Sequence, residues 1–331
     1  MRNLLYIILI SIFFLSGCTK APTKTSSAEY SEVITVSNYF PLKADTTLRY
    51  TGEGNEYATK EVAIEYLKGG IAQLSTVNGG TALVEIVVVG QGAVKKIFAK
   101  EESYWREEYI GQKQREEVIL QQPLKLGNQW ESNGKHYRIS AINANVTVPY
   151  GTYKCIKVVE ENGSGINTRY FAKGIGIVKE EYISGNNVVS TELTEVRNGP
   201  IEKLVELSFP KNNTYELVSN SIQIPLHTND SLAQKLFVEM LQPPIEGVIS
   251  PIPPGTKLLA FIREDNSLRL NLSSEFSNVD GEVIEERARL SALVNTFGKA
   301  FNVEGVIINI ENEAYKGKNL TFSKDEVIKL E

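Results

Sequence analysis

Few side chains in this sequence are of the types that make and break bonds. Two histidines, His136 and His227, fall in different halves, and two cysteines, Cys18 and Cys155, lie far apart. No His-Glu-x-x-His pair, Cys/His cluster or Gly-x-Ser-x-Gly turn is present, so the common metal-hydrolase and nucleophile-elbow chemistries have no carrier. Carboxylates do pair, as Glu101-Glu102, Glu107-Glu108 and Glu116-Glu117. Neighbours along a strand point to opposite faces, so none of these pairs forms one acid–base site, and a solubilising surface accounts for them. Glu282, Glu285 and Glu286 stand where a long helix starts, and a helix N-terminus favours anions. No aspartate or histidine sits beside them at ligand spacing. Gly174-x-Gly176 lacks the helix that follows a phosphate-binding loop. No catalytic, metal-binding or cofactor-binding residue is assigned. Carboxylates from distant positions can still cleave a glycoside, which leaves cell-wall remodelling as the least supported reading.

Cys18 has a more defined chemistry. One basic residue, Arg2, precedes an apolar run from Leu4 to Leu15, too short to span a bilayer comfortably and typical of a secretory signal. Leu15-Ser16-Gly17-Cys18 closes it and resembles the bacterial lipobox. The resemblance implies cleavage before Cys18 and a thioether-linked diacylglycerol on it. Two acyl chains anchor stably where one does not. Residues 1–18 then read as a lipoprotein signal, residues 19–37, rich in Thr, Ser, Lys and Ala, as a flexible tether. The chain is expected on the extracytoplasmic face of a cell membrane, lipid-anchored. Cys155 remains a lone thiol in a strand-like run and reads as a buried apolar residue.

The elements that follow have ordinary globular composition, 42% hydrophobic and 23% charged, with a formal net charge of -5. Interspersed lysine and glutamate give no clustered basic patch, which argues against nucleic acid. The length of 331 residues suits two domains. Residues 38–197 alternate apolar and polar positions, broken by turns such as Asn78-Gly79-Gly80, Gly90-Gln91-Gly92 and Ser184-Gly185-Asn186. Strands are expected at Val62–Leu67, Gly70–Val77, Ala82–Val89, Val94–Ala99 and Tyr104–Ile110. More follow at Tyr137–Ile142, Val146–Val148, Tyr153–Glu160, Arg169–Ala172, Gly176–Ile183 and Asn187–Glu195. Such meanders form a curved sheet, a sandwich or an open barrel. Pro41-Leu42-Lys43 and Pro123-Leu124-Lys125 each lead into strands, which suggests two related lobes. Trp105 and Trp130 read as core anchors. The stretches PLKLGNQW, VPYGTYKCIKV and RYFAKGIGIVKEE resemble a β-rich module of Gram-positive lipoproteins.

Asn198-Gly199-Pro200 separates this from a mixed pattern. Strands are expected at Ile201–Pro210 and Tyr215–Pro225. A helix capped by Asn229 or Asp230 carries Leu232, Leu236, Phe237, Met240 and Leu241 on one face, and Pro243-Pro244 stops it. Strands Thr256–Arg263 and Ser267–Leu272 flank an Asp265-Asn266 turn. A helix over Glu282–Phe301 and a strand over Val303–Ile310 close the unit, and residues 314–331 read as a polar tail. Two helices on one face of a three- or four-stranded mixed sheet result, so the whole chain is expected to be α+β, an antiparallel β-rich domain followed by a small α/β domain.

LVELSFP with its NNTYELV continuation, FVEML, IPPGTKLL, LRLNLSSEF, LSALVNTF and VEGVIINIEN occur in that order. Together they resemble the GerMN domain of sporulation and spore-germination lipoproteins of Gram-positive bacteria, over Glu202–Glu313, within residues 201–313. The family often has Leu-Leu-x-Gly-Pro where this chain has Met240-Leu241-Gln242-Pro243-Pro244. It often has glycine after the last strand, where this chain has Glu311-Asn312-Glu313. The resemblance implies a non-enzymatic part of a sporulation, germination or cell-envelope complex. Protein partners and self-association are implied, because the domain is similar to ring-building motifs. The alternative is a carrier of a lipid, glycan or peptidoglycan fragment in the β-rich domain, favoured by a deep groove lined by Tyr and Trp.

Overall fold

The computed structural model describes residues 34–243, 245–278 and 281–330. The lipobox residues Leu15, Ser16, Gly17 and Cys18, and the tether up to Val33, lie outside them.

Alternation of apolar and polar residues gives strands one face for a core and one for water. The chain spends residues 46–198 on twelve of these. The first six are β1 (Thr46–Glu53), β2 (Lys60–Lys68), β3 (Ile71–Asn78), β4 (Ala82–Val89), β5 (Ala93–Lys100) and β6 (Glu117–Gln121). The second six are β7 (Gln129–Ser132), β8 (Lys135–Val148), β9 (Gly151–Glu161), β10 (Ile166–Ala172), β11 (Gly176–Ser184) and β12 (Asn187–Asn198). Their order in the sheet is β6-β5-β4-β3-β2-β1-β12-β11-β10-β9-β8-β7. Two six-strand meanders thus join through the antiparallel β1/β12 pair, and the Pro-Leu-Lys triplets enter β1 and β7, the first strand of each. Leu42 and Leu124 from these triplets pack on the same core cluster.

The sheet curls into a nearly closed barrel. Its two end strands meet through side chains instead of a backbone ladder. Trp130 Nε1 donates to Val118 O at 2.8 Å, Val118 N donates to Ser132 Oγ at 2.8 Å, and Asn128 Nδ2 donates to Gln121 O at 3.1 Å. These bonds satisfy edge groups that would otherwise be free to pair with another chain. Trp130 also stacks on Tyr137, centroids 5.4 Å apart. One short helix, α1 (Val36–Tyr39), touches both β5 and β11. Those strands stand six places apart in the sheet order, so α1 lies across one end of the barrel. Val36 is fully buried there, and Asn38 O accepts from Gly174 N at 2.7 Å.

Two strand expectations change. Tyr104–Ile110 is a loop, because side chains take the place of a neighbouring strand: Gln73 Nε2 donates to Glu107 O, Gln73 Oε1 accepts from Tyr109 N and Tyr66 OH donates to Arg106 O. Arg106 there adopts a left-handed φ of 53°. Tyr137–Ile142 and Val146–Val148 are one strand, β8, which bulges between Ile139 and Ala144 and so breaks the alternation.

The rest of the chain forms β13 (Ile201–Pro210), β14 (Leu217–Leu226), α2 (Leu232–Leu241), β15 (Leu258–Glu264) and β16 (Ser267–Leu272). They are followed by α3 (Val283–Phe301), β17 (Gly305–Ile310), β18 (Glu313–Ala314) and β19 (Ile328–Lys329). β13 and β14 pair only with each other, and β15-β16-β17-β18 form a second sheet with β19 on β17. That sheet is mixed, since β16 and β17 are parallel across the α3 crossover. The single three- or four-stranded sheet expected from the sequence is therefore two sheets. α3 packs on β13 and also on β16 and β17. Every residue from Leu290 to Gly298 is buried, which is how a helix covered on both sides reads. Thr296 Oγ1 accepts from Ser208 N at 2.8 Å and pins α3 to β13. Leu293, Val294 and Phe297 are fully buried, each contributing roughly 1.5–3 kcal/mol.

The cap of α2 is Ser231, whose Oγ accepts from Gln234 N, and not Asn229 or Asp230. Asp230 instead accepts from His227 N at 2.9 Å. The turn where the family often has glycine places Glu311 and Asn312 at φ 51° and 69°. Both positive values suit a two-residue hairpin turn. Asn271 holds it, donating to Asn312 Oδ1 at 2.9 Å and accepting from Asn312 N at 2.7 Å.

Candidate functional site

Residues 34–331 form one compact unit, and the reason lies at one sheet edge. β1 pairs with β2 only as far as Thr47↔Ala63, so the end of β2 has no strand beside it. Residues 228–229 take that place. Thr228 Oγ1 donates to Ile64 O at 3.1 Å, Asn229 N donates to Glu65 O at 2.8 Å, and Leu67 N donates to Asn229 Oδ1 at 2.8 Å. Arg106 clamps the same spot, donating to Glu65 O, His227 O and Asp230 O. Asp45 binds Thr228 N at 2.6 Å and His227 Nδ1 at 2.9 Å. The backbone bond from Thr228, then the His227 side chain, holds the Asp45 carboxyl below its usual range.

The barrel interior carries charge. Lys60 on β2 pairs with Glu180 on β11, three places away in the sheet order with β1 and β12 between them, so the bond spans the interior of the curved sheet. Arg169 reaches Glu160 at 2.6 Å and Glu180 at 3.1 Å. Lys135 reaches Glu117 at 2.8 Å and Glu160 at 2.9 Å, and Lys96 pairs with Glu85 at 2.8 Å. Tyr137 OH donates to Glu117 at 2.6 Å. Burial opposes ionisation of Glu117, but the Lys135 and Tyr137 hydrogen bonds outweigh it and bring its pKa down to about 2. Burial likewise works against Glu180, and the charges of Lys60 and Arg169 bring it to about 2. Burial pushes the Tyr137 hydroxyl upward, reinforced by Glu117. Glu117 is thus an interior residue and not part of a solubilising surface. Its neighbour Glu116 does face water, beside Lys95 and Lys113.

Beside these ions lies a chamber of about 330 Å³, lined by apolar residues from β1, β2, β3, β6, β11 and β12 and by the Phe40–Lys43 segment. Tyr50 and Tyr150 line it, and neither tryptophan does. Trp130 is at the seam, and Trp105 packs against the α/β core.

The other sequence-named residues scatter. Cys155 is buried among Tyr50, Val146 and Leu193, and burial pushes its thiol up to about 11. His136 is exposed beside Glu131, remote from His227 on Asp45. Among the described residues no group of three His, Cys, Asp or Glu side chains could hold a metal ion, and no helix is long and apolar enough to cross a membrane. Glu286 does more than match the helix dipole. Only 2% exposed, it accepts from Tyr315 OH, Asn319 N, Asn319 Nδ2 and Leu320 N. Burial opposes its charge, but the Asn319 bonds prevail and its pKa is lowered. A Cβ on Gly317 would lie 1.8 Å from Glu286 Oε1, so the tail closes on the helix only with glycine there. The tail is therefore docked, with Tyr315 buried and Leu320 and Phe322 packed on the core.

Residues 186–316 match the family model Germane, described as sporulation and spore germination. The match runs from the turn before β12 to just beyond β18, and the chain carries a GerMN-like domain there. No curated protein matches the chain. Among solved structures, the tandem GerMN domains of the sporulation protein GerM from Bacillus subtilis align at 18% identity and TM-score 0.31, over 38% of this chain and 46% of that one. This chain thus spans less than half of that tandem structure. The first GerMN domain of GerM alone aligns at 18% identity and TM-score 0.31, over 39% of this chain and 96% of its own length. A protein assigned as exported, with a YmcC-like fold, from Bacteroides fragilis aligns at 11% identity and TM-score 0.30, over 48% of this chain and 99% of that one.

Proposed function

We propose that this chain is a lipid-anchored, extracytoplasmic, non-enzymatic component of a sporulation, germination or cell-envelope complex, in which the β13–β18 region docks protein partners. The match of residues 186–316 to a sporulation and spore-germination family carries this reading. The lipobox at Cys18 supplies the anchor, and the clamp at Arg106 holds the docking part rigidly on the barrel. The docking surface follows from exposure. β15 is an edge strand and presents Leu259 and Ile262, both about half exposed. Exposed apolar residues on a sheet edge are a pairing surface.

The test is crosslinking of the full chain in its own membrane during vegetative growth and sporulation. The expected result is a protein adduct that disappears in L259K/I262K while the barrel remains folded. An adduct unchanged by both substitutions would refute the assignment to β15. Cys18→Ser should abolish lipid labelling and leave uncleaved precursor; unchanged labelling would remove the anchor from the proposal.

A further inference from the structure

The barrel chamber is lined by exposed, apolar and ion-paired residues together. Its exposed lining residues are Lys43, Tyr150, Gly174 and Asn198, with Lys43 Nζ donating to Asn198 Oδ1 at 2.8 Å. The apolar walls include Leu48, Val62, Ile177 and Val196. These four side chains are only half-buried although they lie inside the barrel. Atoms without neighbours on one side forfeit dispersion energy, and well-packed interiors leave few such gaps. The ion pairs Lys60–Glu180 and Lys96–Glu85 complete the lining. Lys60, Glu180 and Lys96 line the chamber and remain 22%, 21% and 24% exposed while ion-paired. Its volume of about 330 Å³ falls within the roughly 300–1,000 Å³ of small-molecule sites.

Charge decides the ligand class. Lys60, Lys96, Lys135 and Arg169 face Glu85, Glu117, Glu160 and Glu180, each cation paired. An ionic headgroup would bring an uncompensated charge into this balanced site, and burying one is costly. A headgroup that both donates and accepts hydrogen bonds meets ammonium donors and carboxylate acceptors together. We propose that the chamber binds an uncharged amphiphile with one aliphatic chain, its hydroxyl or amide head on the Lys60–Glu180 and Lys96–Glu85 pairs and its chain along the walls of β1, β2, β11 and β12. The site is independent of the docking role proposed for β15.

The experiment adds a monoacylglycerol bearing a diazirine and an alkyne to membranes holding the full chain. Irradiation and peptide mapping locate the adduct. Labelling is expected on peptides containing Leu48, Val62, Ile177 or Val196. Monolauroylglycerol should compete at a concentration at least about tenfold below laurate or lauryltrimethylammonium, the difference a buried net charge imposes. V62F and V196F, which fill the chamber from different strands, should each lose the label at unchanged melting temperature. Adducts confined to residues 1–33 or to outer faces would overturn the proposal, and this map needs no variant. Equal competition by laurate would overturn the neutral-head assignment, and undiminished labelling of a folded V62F or V196F would overturn the chamber.

Discussion

The guanidinium of Arg263, on β15, lies 3.7 Å from the centroid of the Trp105 ring in the loop between β5 and β6. A cation over an indole face is held by the ring quadrupole, most strongly where water is excluded. Glu107 from the same loop stands 3.7 Å from Arg263 Nε. The loop that leaves the barrel sheet therefore becomes a wedge in the α/β core. Trp105→Ala should destabilise the chain by about 3 kcal/mol, the low end for a truncated tryptophan because the ring is only half-buried. Denaturant unfolding measures this. A loss below about 1 kcal/mol would make the stacking incidental.

Arg106→Met tests the clamp from the other side. It removes the guanidinium bonds to the carbonyls of Glu65, His227 and Asp230, of which Glu65 keeps Asn229 N and His227 keeps Asp230 N. Bonds from a charged donor contribute about 1.5–3 kcal/mol each, and part of this is recovered by water. A net loss of about 3 kcal/mol is expected. Hydrogen exchange should accelerate first at Asn229 and Leu67, whose amides bond across the joint.

The ion network predicts acid sensitivity. Glu117 and Glu180 are brought down to about 2 from the ordinary 4.5 of a glutamate. Depressed carboxylates contribute stability above their unfolded pKa and lose it as pH falls through the folded one. Melting temperature should be flat above about pH 5 and fall steeply from about pH 4.5 towards pH 2. E160Q breaks the same network by removing the shared partner of Lys135 and Arg169. It should cost about 3–5 kcal/mol at neutral pH. Calorimetry across pH checks both.

At α3, Glu286→Ala should release the tail. Four hydrogen bonds end on this carboxylate, and about 2–3 kcal/mol should be lost. The readout is local: amides of residues 315–322 should exchange faster while those of β9 and β10 do not change. Uniform acceleration would show instead that the tail is part of the global unfolding unit.

At the seam, Ser132→Ala removes the acceptor of Val118 N, worth about 1 kcal/mol. Exchange of that one amide should rise well beyond the rest of β6.

Much of this was legible because local rules decided it. Ile201–Pro210 and Ser267–Leu272 appear with the bounds their alternation indicates, and α3 starts after Glu282 as its acidic turn suggests. The lumen was not legible. Glu117, Glu160, Glu180, Lys60 and Arg169 come from five separate strands, and nothing in the spacing of charged residues shows that they converge. Interior charges look like surface charges until a sheet closes around them. The Tyr104–Ile110 loop was misread for a related reason: its alternation serves two cores, with Trp105 in one and Tyr109 stacked on Phe98 in another. The second covered face of α3 was visible only as an apolar density in LSALVNTFG greater than one stripe requires.

The position of α1 has a mechanical consequence. It is the first element after Val33, and it sits across the barrel end against opposite walls. Any pull transmitted from upstream would load α1 first, as tension on the Gly174–Asn38 and Gln122–Ile34 bonds, before it reached a strand. The segment directly after α1 borders the chamber at Phe40 and Leu42, so force on the chain's leading end and access to the barrel interior act on one short stretch, α1 and the residues that follow it.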